Sequence, residues 1–355
     1  MIGDLSMATI RDVARRAGVS VATVSYVING TRYVSPELKE RVQRAIEELN
    51  YYPHGIARSL KTRKTHTLGL IVSDISNPFF STLARGAEDE AAHHGYSLIL
   101  ANADENPSKE RLYIDVLTQK KVDGLVIAPS TKGAENIQQL QRRKISFVFV
   151  DRKLEGVEAD AVLSENVQGA YQAVRHLLEL GHRRIAIVLG LKGALTSEER
   201  FQGYKLALSE FRVPVDPALV AWGHFRMQGG FEAASQLLEL DRPPTAIFST
   251  NNLMTIGVMK ALKERGLRCP EDVSIVGFDE LEWGDAFEPA LTVVIQSPYK
   301  LGRQAVRLLL QRLQDYARPW REVRIPTRLE VRESTAPPRT GERERRRRRS
   351  RKTRQ

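Results

Sequence analysis

The first fifty residues carry apolar side chains at helical spacing, interrupted by short polar stops. Ile10, Val13, Ala14 and Ala17 predict a helix capped by Thr9, with Asp12 early enough to favour the positive end of the helix dipole. Gly18 ends it. Ser20 then caps a second short helix in which Val24, Val27 and Ile28 share one face, before Asn29 and Gly30 break the pattern. Ser35, Pro36 and Glu37 open a third helix whose stripe is Leu38, Val42, Ala45, Ile46 and Leu49. Three short helices with one tight glycine turn make a small bundle. Rotating the second helix at about 3.6 residues per turn puts Ala22, Ser25, Tyr26 and Asn29 opposite its buried face, with Val21 and Thr23 at the margins, free to meet a partner.

From Leu68 the pattern changes to short apolar runs alternating with longer helical stretches. The runs predict strands at 68–72, 98–101, 124–128, 147–151, 184–189, 245–249, 274–278 and 292–295. Their hydrophobicity is continuous rather than alternating, as in parallel sheets covered on both faces, so the fold class is α/β and doubly wound, in one large sheet or two lobes. Ligands in such folds bind beyond the carboxyl ends of the strands. That rule selects 74–80, Asp151 with Arg152, Asn251 with Asn252, Asp279, and Gln296. Each taken singly reads as a helix cap or turn residue; together their charged, amide and aromatic groups suit a polar small molecule with an apolar face, such as a sugar.

A chain of 355 residues, 42% hydrophobic, has room for two or three domains. Its one cysteine, Cys269, excludes an intramolecular disulfide and fits a reducing compartment. The start of the chain lacks a basic and apolar export signal, and no run approaches the ~18 apolar residues of a membrane span, so a cytoplasmic protein is expected. The net charge of +11 is uneven. Residues 1–66 hold 11 basic and 6 acidic side chains, residues 67–338 hold 33 and 35, and residues 339–355 hold 10 and 2. The arginine-rich end has no apolar residue to bury and is expected to be disordered. Between bundle and α/β region, the segment around 55–65 is too short for a stable isolated helix, bears cations and exposes Leu60. An apolar tip flanked by positive charge suits a wedge into a DNA minor groove, although an ordinary linker would look similar.

The run Ala8-Thr9-Ile10-Arg11-Asp12-Val13-Ala14, Ala17-Gly18-Val19-Ser20, Thr23-Val24-Ser25, Val27-Ile28-Asn29, then Val34-Ser35, Leu49-Asn50-Tyr51 and Ala57-Arg58-Ser59-Leu60, resembles the LacI/GalR repressor family. The likeness continues through Gly181-His182, Arg200, Gly203-Tyr204, 273–279 and 291–302, to about Ser334. It implies a helix-turn-helix domain at 7–52, a hinge helix and linker at 53–66, and a two-lobed effector-binding and dimerisation domain like periplasmic sugar-binding proteins at 67–334; the composition then leaves a disordered basic tail at 335–355. The family motif begins directly after Met7, which suggests translation starting there.

On DNA, the resemblance implies a recognition helix whose reading positions are Val21, Ala22 and Tyr26, with Ser20, Thr23, Ser25 and Asn29 around them, Arg32 at a base-contacting loop position, and Leu60 with Lys61 at the intercalating hinge. Val21 and Ala22 offer only methyl contacts, so the operator sequence is not predictable. In the sensor it implies three crossovers near residues 164, 291 and 320, and a cleft lined by Phe79, Asp151, Arg200, Phe225, Asn251, Asp279 and Gln296. Ala194 stands where purine-binding members place a second arginine, which favours a sugar or sugar phosphate over a purine. A homodimer on palindromic double-stranded operator DNA follows, with a tetramer left open.

An enzyme is disfavoured. The turn Ser73-Asp74-Ile75-Ser76-Asn77-Pro78-Phe79-Phe80 lacks a phosphate-cradling glycine pattern, His93 and His94 are too close in sequence to chelate from one helix face, and Cys269 has no activating neighbour. No cofactor or metal is expected. An exported sugar-binding protein is the other alternative; the basic amino-terminal module counts against it.

Overall fold

The computed structural model describes residues 8–30, 32–51, 64–281, 284 and 288–339. The chain divides into two units, residues 1–65 and 66–355.

The first unit contains helices α1 (Ile10–Ala17), α2 (Val21–Asn29) and α3 (Pro36–Glu48). Thr9 and Asp12 form a reciprocal capping box, and Gly18 closes α1 in a left-handed conformation at φ 64°. Ser20 caps α2 by accepting from the Thr23 N–H at 3.1 Å. Val13, Ala14, Ala17, Val24, Val42, Ala45 and Tyr51 form the core. Leu38, in the first turn of α3, is only half-buried. The Arg41 guanidinium on α3 donates to the Ala17 carbonyl at 2.7 Å, satisfying a carbonyl at the end of α1.

The second unit is built on two six-stranded sheets. Strands β1 (Thr67–Val72), β2 (Ser97–Asn102), β3 (Gly124–Ile127), β4 (Phe147–Asp151), β5 (Asp160–Ser164) and β11 (Glu322–Ile325) form one, in the order β11-β5-β4-β3-β1-β2. Strands β6 (Ile185–Leu189), β7 (Val220–Trp222), β8 (Ala246–Ser249), β9 (Ser274–Phe278), β10 (Thr292–Ile295) and β12 (Arg328–Glu330) form the other, in the order β12-β10-β9-β8-β6-β7. Between strands run α4 (Pro78–His93), α5 (Pro107–Gln119), α6 (Ala134–Arg142), α7 (Asn166–Glu179), α8 (Leu195–Glu210), α9 (Met227–Glu239), α10 (Asn252–Glu264) and α11 (Pro298–Gln314).

Both faces of each sheet are buried, which accounts for the unbroken apolar runs. In the first lobe Leu68, Leu70, Val126 and Val148 pack toward α4 and α11, while Ile71, Leu125, Ile127 and Phe149 pack toward α5 and α6. The second lobe repeats this, with Ile187, Phe248 and Val276 on one face and Val188, Ile247 and Ile275 on the other. Helices α4 and α11 approach so closely that a Cβ at Gly302 would sit 2.0 Å from the Leu83 carbonyl oxygen.

Four strands lie outside the sequence-based set. β7, β11 and β12 are short edge strands of three or four residues; β11 and β12 are rich in charged residues and carry no apolar run, while β7 is only Val220, Ala221 and Trp222. β5 is fully buried, but its run is only Ala161, Val162 and Leu163. β12 also pairs antiparallel with β10, so the second sheet is not wholly parallel. The chain passes between lobes at 164–166, 295–298 and 325–328; the second and third crossovers come some residues later than expected. Some of the residues expected in the disordered tail from 335 onward are held against the second lobe. Ala336 donates to Ser274 Oγ and Arg339 pairs with Asp272, while residues 340–355 lie outside the described residues.

Candidate ligand cleft and nucleic-acid face

The seven cleft residues expected from the sequence, Phe79, Asp151, Arg200, Phe225, Asn251, Asp279 and Gln296, line one cleft between the two lobes, enclosing about 490 Å³ with its open mouth included. Most sit where a strand ends or the following helix begins. Asp151 closes β4 and Asp279 follows β9, at φ 68° and 75°; His224 and Phe225 follow β7 at 55° and 58°. Left-handed backbone at four non-glycine residues costs on the order of 1–3 kcal/mol each, and such strain gathers at functional sites.

Phe79 lies in the first turn of α4, which Asn77 caps by accepting its N–H at 3.0 Å. The Phe225 ring lies over Gly190, and the Arg152 guanidinium is 5.7 Å from that ring's centre. Asn251 caps α10 through its Oδ1, so the cap and cleft roles coincide.

Arg152 is spent on the protein. It forms a two-pronged pair with Glu105 at 2.8 and 3.0 Å, and also bonds Asp151 and Ser73. Arg200 is different. Its Nε donates to Asn166 Oδ1 at 2.9 Å and its Nη1 to the Thr250 carbonyl at 2.6 Å, while its guanidinium lies 3.8 Å from the centre of the Phe278 ring. Gln296 Nε2 donates to Asp279, and Gln296 Oε1 is buried without a partner among the described residues. Burial pushes the Asp151 and Asp279 carboxyls above the usual range; Arg152 and Arg200 oppose this at Asp151, and Arg200 and Gln296 at Asp279. Desolvation also lowers the Arg200 guanidinium, against the pull of Asp279 and Asp151.

The lobes also bond directly across the cleft. Arg226 reaches Asp74 at 3.0 Å, and Asn252 Nδ2 donates to Asn77 Oδ1 at 3.0 Å. Glu105, Thr196, His224 and Arg226 line the cleft as well and escaped the sequence reading. Glu105 follows β2 closely enough for the strand-end rule to have found it. His224 and Arg226 follow β7, which is too short to signal itself.

On α2, Val21 and Ala22 are exposed, and Thr23, Ser25, Tyr26 and Asn29 are half-buried. The Ser20 hydroxyl is occupied as a cap, and Asn29 Nδ2 donates back to the Ser25 carbonyl at 2.8 Å. Arg32 is exposed, its guanidinium 5.2 Å from the centre of the Tyr26 ring. Leu60 and Lys61 lie outside the described residues.

Elsewhere, His94 pairs with Glu90 at 3.3 Å, and burial pushes the Cys269 thiol up to about 12. Among the described residues no group of three His, Cys, Asp or Glu side chains could hold a metal ion, and no helix is long and apolar enough to cross a membrane.

Residues 9–54 match the family described as bacterial regulatory proteins, lacI family, and residues 65–333 match the periplasmic binding proteins and sugar binding domain of the LacI family. The HTH-type transcriptional repressor PurR of Vibrio atlanticus is 40% identical over 310 residues, 87% of this chain and 93% of that protein. Among solved structures, a LacI family transcriptional regulator from Enterococcus faecium with bound ribose has a TM-score of 0.70 at 36% identity, covering 77% of this chain and 100% of its own. The lac repressor dimer bound to operator and the anti-inducer ONPF has a TM-score of 0.83 at 28% identity, covering 93% and 99%.

Proposed function

The chain belongs to the LacI family and is a DNA-binding transcriptional repressor rather than an enzyme, and on that premise we propose that it grips a palindromic operator as a homodimer whose affinity is set by a small molecule in the interlobe cleft. The observation that carries this is the meeting of seven polar and aromatic residues in one cleft whose two walls belong to separate lobes linked through three crossovers. A ligand there touches both lobes at once, so it binds one lobe arrangement better than another, and only such a difference can alter operator affinity.

A dimer is supported by the surface along α4 and the edge strand β2. Ala84 and Leu98 line an apolar groove with Ile75 and Leu100, which are 37% and 42% exposed. Two α2 helices related by twofold symmetry would then reach half-sites about 34 to 36 Å apart if one helical turn separates them. Val21, Ala22, Tyr26 and Arg32 are the proposed base readers, and Leu60 with Lys61 the minor-groove wedge. This work on DNA belongs in the cytoplasm.

For the effector, a neutral sugar fits best. Arg200 Nη2 forms no hydrogen bond among the described residues. With the orphaned Gln296 Oε1 and the Asp279 carboxylate, it offers a donor beside acceptors for neighbouring hydroxyls, and Phe79 and Phe225 supply apolar faces. Four carboxylates against three guanidiniums in the lining disfavour a sugar phosphate. The specific observation for a purine is the 40% identity to the PurR repressor of Vibrio atlanticus. Thermal-shift titration of the full chain with D-ribose, ribose 5-phosphate and hypoxanthine separates these. A rise with ribose alone supports the sugar, and a rise with hypoxanthine alone supports the purine. No response across a broad sugar and nucleobase panel would remove the effector role of the cleft.

A further inference from the structure

Behind the cleft, a continuous line of side-chain hydrogen bonds runs from Arg200 through two of the three crossovers and returns beside Asp151. Arg200 Nε donates to Asn166 Oδ1 at 2.9 Å, and Asn166 Nδ2 donates to Glu199 Oε2 at 2.9 Å. The second oxygen of Glu199 accepts from Arg324 Nη2 at 2.8 Å. Arg324 Nε then donates to Glu322 at 2.7 Å, and Lys153, two residues beyond Asp151, closes the line on Glu322 at 2.5 Å.

The direction of this line is fixed by chemistry. A guanidinium only donates and a carboxylate only accepts, so the Asn166 amide between Arg200 and Glu199 has one orientation that satisfies both. Asn166, Glu199 and Arg200 are 1%, 8% and 3% exposed, so water cannot readily replace a lost partner. The line also spans the lobes: Arg200 and Glu199 lie on α8, Asn166 opens α7 just after the first crossover, and Arg324 lies on β11 in the other lobe's sheet, just before the third.

We propose that Glu199 and Arg324 are positioning residues which, through Asn166, hold the Arg200 guanidinium in its ligand-ready pose only when the lobes stand as they do here. Rotation of one lobe about the crossovers parts Arg324 from Glu199, frees Asn166 to turn and lets Arg200 drift. Seating the Arg200 guanidinium and fixing the lobe arrangement therefore share the same hydrogen bonds. The proposal rests on the cleft being the effector site for its functional meaning, but its physical core concerns Arg200 alone.

The test uses full-length protein labelled with nitrogen-15 at arginine. The Arg200 Nε–H signal, assigned by its disappearance in Arg200→Lys, reports this hydrogen bond without any ligand. Arg324→Met and Glu199→Gln are each expected to speed its hydrogen exchange by about tenfold or more. Arg324→Lys, which keeps a cationic donor, recovers part of the protection, and Arg265→Met, which breaks a pair outside the line, leaves it unchanged. Wild-type exchange in both folded Arg324→Met and Glu199→Gln overturns the proposal; if Arg324→Met does not fold, Glu199→Gln and Arg324→Lys decide. With D-ribose or hypoxanthine, whichever stabilises the wild type, Arg324→Met weakens binding about tenfold, but not further in an Arg200→Lys background. Additive losses there overturn the action through Arg200. If neither compound binds the wild type, the ligand assignment fails while the exchange result still decides the positioning role.

Discussion

Replacing Gly190 with alanine puts a methyl carbon 1.8 Å from Cε1 and 2.1 Å from Cζ of Phe225. Unbonded carbons rest about 3.5–4.0 Å apart, so the ring has to retreat by roughly 1.7–2.2 Å. What stands in the way is the far end of a side chain rather than backbone, so the ring yields and the β6 end keeps its path. The cleft then loses the face of Phe225 and its cation contact with Arg152. An aromatic contact of this kind contributes about 0.5–1.5 kcal/mol, equivalent to roughly 2- to 12-fold weaker ligand binding. Calorimetric titration of Gly190→Ala with the compound that stabilises the wild type should show this loss with a melting temperature little changed. In a Phe225→Ala background the same substitution should add nothing. Wild-type affinity in Gly190→Ala, or full additivity with Phe225→Ala, would refute the stacking role of Phe225.

Arg200→Ala should abolish ligand binding while operator binding survives; undiminished heat on titration would remove Arg200 from the ligand site. Leu60→Ala should leave ligand binding intact but weaken operator binding and DNA bending, and gel-shift and bending assays at wild-type levels would count out the wedge. Despite desolvation, Arg307 and Arg303 hold the Glu90 carboxyl down from 4.5 to about 2. Its contribution is therefore fully present above pH 4.5 and fades as pH falls toward 2. Both arginines are partly exposed, so about 1–2 kcal/mol is expected after solvent screening. Glu90→Gln should cost that much in urea denaturation at pH 6 and much less near pH 3; an equal cost at both would contradict the ion-pair account.

The bundle was legible because its signals are local. Thr9, Ser20 and Ser35 cap the helices they precede in sequence, and Gly18 turns the chain where it breaks the apolar period. The lobes were legible as buried strands but not at their edges, where β11 and β12 are charge-rich and β7, though apolar, is only three residues long. In the cleft, Asp151, Asn251, Asp279 and Gln296 follow from the rule that such folds bind beyond strand ends, and Phe79 falls within the segment that rule selected. Arg200 and Phe225 came only from family likeness: Arg200 sits among other polar residues of α8, and Phe225 trails a strand of three residues. The Glu199–Arg324 pair was out of reach because it joins positions 125 residues apart through packing.

The central claim is that ligand in the cleft governs grip on symmetric DNA. It is tested most directly by selecting duplexes from a random pool with full-length protein, then measuring affinity for the selected site with and without the compound that stabilises the protein. A twofold-symmetric site should emerge, and saturating compound should change its affinity by roughly 5- to 150-fold. An unsymmetric or unselected pool, or an affinity indifferent to a compound that occupies the cleft, would contradict the account.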